Sequence, residues 1–421
     1  MMSQTHLPPH WKIVKVSEIA RKFISGGTPS TKERTYWDGT IPWTTSAPIS
    51  EDEVFLSRAQ RFITQGGLKN SASNIVPQNN LLVGTRVGVG KAVVNLVDIA
   101  ISQDITGVVL DSSSADSTFV AYQFKSGRIK DFFDGRKRGT TIKGVSRSDL
   151  MSLNLFIPDI SEQRAIAQAL RTVQEAKEAR QRELTLERER KAALMDYLFT
   201  HGTRGEPRKQ TEIGKMPESW KETKLGALID IKHGYAFKSK YFTESGDIVL
   251  TPGNFMIEGG LYWGVKTKFT SEKYSVDYLF EEGDLVVVMT DLTPSAKLLG
   301  APAFIPEGKR ILHNQRIGKI LLENNFTNKS FLYVLFNSIA FRNHMVATST
   351  GSTVRHTSPN RIKDYRFGLP SIMEQQEITY ALNACDTKSE AIEREIDILD
   401  ELFQAMLEEL MTGRVSAIPL T

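Results

Sequence analysis

Cysteine is almost absent from this 421-residue chain, where Cys385 stands alone. It can form no internal disulfide and no thiolate metal site, so redox chemistry is not expected. Long hydrophobic runs are missing too. No stretch reaches the ~18 consecutive apolar residues that suggest a membrane span, and Met1 to His10 lacks the apolar core of a signal peptide, so a cytoplasmic protein is expected. With 40% hydrophobic and 24% charged residues, the composition excludes disordered and fibrous classes. A chain of this length divides into domains of roughly 100 to 200 residues, so two or more are expected.

Catalytic signatures are scarce as well. The stretch Gly84 to Lys91 invites comparison with the phosphate-cradling loop G-x-x-x-x-G-K-[ST]. However, Val89 stands where the second glycine belongs and Ala92 follows the lysine without a hydroxyl for magnesium. Pro158-Asp159 with Glu175 and Lys177 formally fits a metal-dependent nuclease pattern. Glu175 and Lys177 are two apart on a predicted helix, where they point away from each other, so a helix face is the expected reading. No Asn/Asp-Pro-Pro-aromatic segment is present to grip a flipped adenine. The seven histidines (His6, His10, His201, His233, His313, His344 and His356) show neither i, i+4 pairing nor cysteine company, so no metal is expected.

What the chain does have is written twice. Leu7-Pro8-Pro9-His10-Trp11-Lys12 is echoed by Met216-Pro217-Glu218-Ser219-Trp220-Lys221, and a glycine turn follows each (Gly26-Gly27, Gly234). At an offset of 212, Gly139-Thr140-Thr141-Ile142 aligns with Gly351-Ser352-Thr353-Val354, Ile157-Pro158 with Leu369-Pro370, and Glu162-Gln163 with Glu374-Gln375. The same offset runs without a gap to Thr200 and Thr412. Such self-similarity marks a tandem duplication.

Within each copy, strand-like runs such as Leu81-Leu82-Val83 and Asp284 to Val288 are punctuated by glycine, proline and asparagine. About 40 residues without proline or glycine then follow in each copy, Ser161 to Thr200 and Ser371 to Thr412. These predict helices about 60 Å long. In the second, Ile378, Leu382, Cys385, Ile392, Ile396, Leu399, Phe403, Met406 and Leu410 form a heptad seam that only Ser389 interrupts. In the first, Ile166, Leu170, Val173, Leu184, Leu194 and Leu198 share the stripe with Lys177, Arg180, Glu187 and Lys191, which predicts a weaker seam.

The expected fold class is α+β, with two globular domains in pseudo-twofold arrangement separated by an antiparallel coiled coil of two long helices. The expected boundaries are a first globule 1–160, a helix 161–200, a linker 201–215, a second globule 216–370, a helix 371–412 and a tail 413–421.

Charge follows the same division. Residues 371–412 carry eleven acidic and two basic side chains, while 161–200 carry seven acidic and eight basic. Removing both helices turns a net charge of +4 into +12 on the remainder, where a polyanion could be met.

The segment Gly26-Gly27-Thr28-Pro29-Ser30, followed by Tyr36-Trp37-Asp38-Gly39 and Ile41-Pro42-Trp43, resembles the opening of target-recognition domains in the specificity (S) subunits of type I restriction-modification enzymes. Leu81 to Lys91 is similar to that family's strand, arginine and glycine-turn element. Gly283 to Thr290 is its counterpart, without the arginine and the closing glycines. Ile157-Pro158 with Glu162-Gln163, and Leu369-Pro370 with Glu374-Gln375, resemble the entry into each conserved helix.

The resemblance implies a non-catalytic subunit in which each globule reads one half of a split, asymmetric DNA target and the helices set the gap between the halves. It further implies partners: double-stranded DNA, two methylation subunits that modify adenine, and two restriction subunits. S-adenosylmethionine, ATP and magnesium would belong to those partners, and this chain would need no cofactor. The rival reading is a coiled-coil scaffold that binds protein instead of DNA.

Reading bases calls for Arg, Lys, Asn, Gln, Ser or Thr on loops, and holding phosphates calls for clustered cations. Two clusters occupy equivalent places in the repeat. One is Arg136, Lys137, Arg138, Thr140, Thr141 and Lys143, and the other is Arg355, His356, Arg361 and Lys363. Phosphate anchoring and a solvated basic loop both remain open for them. Arg86, Lys91, Lys238, Lys240, Lys297 and Arg316 are further DNA-contact candidates, whereas Tyr36, Trp37 and Trp43 are expected to pack. On the acidic helix, Glu393, Asp397, Asp400 and Glu401 are expected to form an exposed face that docks a methylation subunit.

Overall fold

The computed structural model describes residues 7–51, 53–56, 58–137 and 144–417. The chain forms two compact units, Met1–Gln181 with Arg394–Thr421, and Arg182–Glu393. The first unit draws on both ends of the sequence and the second is the contiguous middle, so each contains the start of one long helix and the end of the other. Those helices are Ile160–His201 and Ile372–Met411.

In the first unit a five-stranded sheet runs in the order Ala20–Ser25, Ile105–Leu110, Leu81–Gly84, Ala92–Asn95 and Phe55–Leu56. A four-stranded sheet places Arg61–Ile63, Trp37–Thr44, Ile99–Ile101 and Asn74–Val76 side by side. The second unit has two four-stranded sheets. One is ordered Ile229–His233, Ile317–Leu322, Leu285–Val288 and Pro302–Phe304, and the other Phe242–Thr243, Lys268–Thr270, Asp247–Leu250 and Ile311–His313. The buried apolar runs Leu81–Gly84 and Leu285–Val288 are inner strands in both, as unbroken hydrophobicity requires of a strand covered on two faces.

Both units fasten the helices by the same device. Pro8 and Pro217 accept the backbone N–H of Trp11 and Trp220 at 3.0 and 3.1 Å, closing a turn that turns each indole inward. The indole of Trp11 then donates to Glu162 at 3.3 Å, and that of Trp220 to Glu374 at 2.9 Å. The next residue completes the joint. Gln163 donates to the carbonyls of Pro158 and Ser114 and accepts from the Asp116 N–H. Gln375 donates to Pro370 and Phe326 and accepts from the Thr327 hydroxyl. All four side chains are buried, and the Glu-Gln pair satisfies groups that would otherwise lie unbonded at the root of a helix.

The arriving helix is fixed against the same tryptophan. Gly413 packs on Pro8 and Trp11 and Gly202 on Pro217 and Trp220, each with φ near +68° (69° and 67°), a left-handed conformation that suits glycine.

Hydrophobic cores follow suit. In the first unit Ile166 and Leu170 share a core with Phe403, Leu407 and Leu410, and Tyr122 lies 6.0 Å from Phe403. In the second, Met195 and Leu198 share one with Ile378 and Leu382. In each unit the helix segments run antiparallel.

The seam is stronger than the sequence stripe predicts. Lys177 and Arg180 pair with Asp400 and Glu395 in the first unit, the latter at 2.8 Å. In the second, Lys191 pairs with Asp386, and Lys388 reaches Glu187 at 3.3 Å. All four charges expected to weaken the first helix's stripe are therefore ion-paired with the facing helix. The acidic face also needs correcting, since Asp400 is engaged by Lys177 and Glu393 by Arg188 at 2.7 Å. Asp397 and Glu401 stay exposed.

Replacing Gln375 by Leu strands two carbonyls and a hydroxyl in a dry joint. It should destabilise the second unit by about 3 kcal/mol, read as a lower urea midpoint for that unit with no change in m-value.

Candidate nucleic-acid interface

Both copies build the same corner at the end of the inner strand. In the first unit Thr85 follows Leu81–Gly84, its N–H donates to Asp104 and its carbonyl accepts from Val145, both at 2.8 Å. In the second, Met289 donates to Arg316 and accepts from Thr357, both at 2.9 Å. Asp104 and Arg316, and Val145 and Thr357, are related by the offset of 212. The glycine turns meet this corner from the other side. Gly26 lies against the carbonyls of Ile101 and Ser102, and Gly234 against His313 and Asn314, so close that a Cβ would collide with backbone. Only glycine lets the loop cross there.

Around the first corner, Arg86 is exposed beside Gly144. The Gly84 to Lys91 stretch closes on itself as a hairpin turn, with Gly84 N–H to Lys91 O at 2.9 Å and Gly90 N–H to Gly84 O at 3.0 Å, an arrangement that serves strand reversal. Gly90 rests on the ring of Phe133, which brings the turn to the end of the helix Gly127–Asp134. Arg136 there stacks on Phe132 at 3.8 Å and Lys137 pairs with Asp134 at 2.5 Å, while Lys91 is held loosely by Glu51 at 3.7 Å. The candidates Arg138, Thr140, Thr141 and Lys143 lie outside the described residues.

Around the second corner, Thr290–Asp291 pairs with Arg355–His356. The buried Asp291 carboxylate accepts from Thr293 and Leu298 N–H groups at 2.8 and 2.7 Å, shaping the loop that carries Lys297. Gly351, at φ +94°, closes the opposite loop, whose Thr350 and His356 exchange two backbone bonds of 2.9 Å. Arg316 and Lys297 are exposed.

Four candidates have partners within the unit. Arg355 donates to Val346 O at 3.1 Å and Ser349 Oγ at 2.6 Å, satisfying the end of the helix Ile339–Thr348, so its role is to cap that helix. Lys363 binds Asp230 at 2.9 Å, holding that carboxyl below its ordinary range. Arg361 reaches Thr350 Oγ1 at 3.1 Å, and His356 Nδ1 lies 3.0 Å from Thr290 Oγ1. Lys238 and Lys240 are exposed on a separate turn, Ser239–Tyr241, where Lys240 lies 4.8 Å over Tyr241.

Trp37 and Trp43 are core residues, packed edge to face at 5.3 Å, and Tyr36 packs beside them. Glu175 is paired with Arg171 at 2.6 Å on the long helix. Among the described residues, no group of three or more His, Cys, Asp and Glu could hold a metal, and no helix is long and apolar enough to cross a membrane.

One pair of residues escaped the sequence analysis. Gln103 and Gln315 sit one residue before Asp104 and Arg316 in the two corners, and both are exposed. Extending the offset of 212 inward from the helices would have found them.

A family model described as the type I restriction modification DNA specificity domain matches residues 8–188 and again 217–401. The chain belongs to this family. It is a specificity subunit of the type I restriction-modification kind, with two DNA specificity domains in one polypeptide. Similar specificity subunits include that of the type I restriction enzyme MjaVIII from Methanocaldococcus jannaschii, 23% identical over 98% of this chain and 95% of the relative. The StySPI specificity subunit from Salmonella potsdam is 22% identical over 99% and 91%. Among solved structures, the S subunit from M. genitalium superposes with a TM-score of 0.56 at 15% identity, covering 97% of both chains. A chain from a structure of type I restriction-modification complex assembly gives 0.62 at 14%, covering 97% and 99%. At such identities the solved structures speak to the fold alone, mixed α and β globules with long helices.

His313 supports the second corner from within. Its Nε2 donates to Ile317 O at 2.8 Å, its ring lies 4.5 Å from Phe280, and burial lowers its pKa to about 4. A folded value below the unfolded one near 6.5 means that this stability is complete above pH ~6.5 and is lost as pH falls toward 4, about 3 kcal/mol in all. Denaturant midpoints of the second unit should fall across that interval, and the His313→Gln variant should show a shallower slope there.

Proposed function

We propose that this chain reads a two-part, asymmetric DNA sequence, one part with each domain, and directs adenine methylation and restriction carried out by partner subunits. The observation that carries this is the repeated corner, which puts Asp104 in one copy where Arg316 stands in the other and surrounds the same backbone with unlike groups, Arg86 beside the first and Lys297 beside the second. Identical scaffolds with unlike rims suit two unlike half-sites. In this reading Gln315 addresses a base edge, since a carboxamide matches the paired donor and acceptor of adenine, and Gln103, whose Oε1 accepts from Thr28 at 2.6 Å, offers its amide N–H groups, while Arg86, Arg316, Lys297, Arg136 and Lys137 hold phosphates.

The chemistry is assigned to the partners. Two methylation subunits and two restriction subunits would supply S-adenosylmethionine, ATP and magnesium, all in the cytoplasm. For docking, the exposed strip of Asp397, Ile398, Glu401 and Leu402 replaces the wholly acidic face first expected. Leu186 occupies the position equivalent to Ile398, and both are about two-thirds exposed, 65% and 63%. Two matched apolar residues on two matched helices suit two copies of one partner.

Three measurements test these assignments. Mapping methylated adenines in the host genome gives the target, and duplex affinity for it should fall steeply with salt; a flat salt dependence would favour the protein scaffold. Arg316→Ala should weaken binding to all duplexes and reduce the salt slope by about one, whereas Gln315→Ala should keep the slope and lose about 1–3 kcal/mol of discrimination at one base pair. Leu186→Asp with Ile398→Asp should reduce co-purification of the methylation subunit while duplex binding by the chain alone is unchanged.

A further inference from the structure

The ion pairs along the helices have a polarity that the reading of DNA does not require. Lys177 and Arg180 of the first helix meet Asp400 and Glu395 of the second in one unit, and Arg188 and Lys191 meet Glu393 and Asp386 in the other. Cations come from the first copy and carboxylates from the second. Lys388, which reaches Glu183 and Glu187, is the reversed case among these contacts.

Because the helices are equivalent at an offset of 212, the neighbours in a like-with-like pair can be worked out. Asp400 corresponds to Arg188. Two first helices packed in this register would therefore set Lys177 against Arg188, twice by symmetry. Lys191 would face Gln174 where it now faces Asp386. Two second helices would set Glu393 against Asp400, again twice, and would place Asp386 opposite Phe403. Each like pair recovers one kind of attraction, Arg180 with Glu183 or Lys388 with Glu395, likewise twice by symmetry, and loses the rest.

At its two ends the apolar seam offers no such discrimination, whereas in the middle Arg180, Glu187 and Lys191 stand where the second helix has Ile392, Leu399 and Phe403. Ile166, Leu170 and Leu198 match Ile378, Leu382 and Leu410 position for position, so hydrophobic burial at these ends would accept either partner. We propose that this charge pattern selects the pairing of a first copy with a second copy and rejects the pairing of two identical copies. A chain so paired always carries two different recognition domains, whereas like pairing between chains would create symmetric assemblies with one domain repeated. The selection is electrostatic and half-exposed, so it must weaken with salt.

The test begins with the folded full-length protein. A protease site placed between Arg204 and Gly205, where the backbone is exposed and Gly205 faces open space, lets the chain be cut after folding. After incubation in mild urea to allow exchange, native mass spectrometry counts mixed pairs and like pairs of the two fragments. Mixed pairs should exceed random pairing by about tenfold at low salt and by much less at ~1 M salt.

The decisive variant is the double swap Lys177→Glu with Asp400→Lys. It keeps the native ion pair with its signs exchanged, so the uncut protein should keep its unfolding midpoint. It also turns both repulsive contacts attractive, because a carboxylate at 177 would face Arg188 and an ammonium at 400 would face Glu393. Like pairs should then appear. Fragments that separate on cutting, that pair at random before the swap, or that keep their selectivity after it would each overturn the proposal.

Discussion

A buried carboxylate under an indole sets the terms for the rest of this molecule. Glu162 and Glu374 lie at the roots of the two long helices, and each accepts from the tryptophan that opens its own copy. Leaving such a group unsatisfied in a dry site would cost more than any single surface contact returns. The opening loop, the Pro-Gln joint and the helix root must therefore close together. Thr203, just beyond the first helix, donates its N–H to Glu374 at 2.9 Å, so the same acceptor also fixes where the arriving helix stops. Helix ends are otherwise the parts that fray, and here they are held by buried hydrogen bonds.

This explains why the duplication was so legible. Residues that satisfy one another in a fixed geometry cannot drift separately, so the Pro-Trp turn and the Pro-Glu-Gln joint each keep their internal spacing in both copies, while the stretch between tryptophan and glutamate changes from 151 to 154 residues. Helix extents were readable for a plainer reason, the absence of proline and glycine over about 40 residues. Sheet order was not readable. Short strands such as Phe55–Leu56 and Thr290–Asp291 take their places from long-range pairing, which local patterning does not encode.

The misjudged seam shows a more general limit. Lys177, Arg180, Glu187 and Lys191 look like defects when one helix is read alone, because a heptad stripe is scored by its apolar positions. Set beside Asp400, Glu395, Lys388 and Asp386 they are partners. Their meaning lies in the pairing register, and the register is fixed by the glycine-stopped helix ends about 200 residues away in sequence. The acidic helix was misread for the same reason, since part of its charge faces its partner helix and only Asp397 and Glu401 remain of the face expected for docking. Arg355 is a third instance, a cation in a basic cluster whose guanidinium caps a helix.

The corner itself joins these levels. Its backbone is the same in both copies because the inner strand, the returning strand and the glycine crossing satisfy one another through main-chain bonds that any side chain tolerates. Positions 86, 103, 104, 297, 315 and 316 project from that frame without carrying its stability, since none of their side chains is buried in a core. A rim so placed can change its chemistry while the scaffold and its helical roots remain intact, the condition a protein needs if two copies of one fold are to address two different sequences. The same separation explains why the candidates that proved structural, Arg355 and Lys363, are those whose side chains reach back toward helix ends and strands.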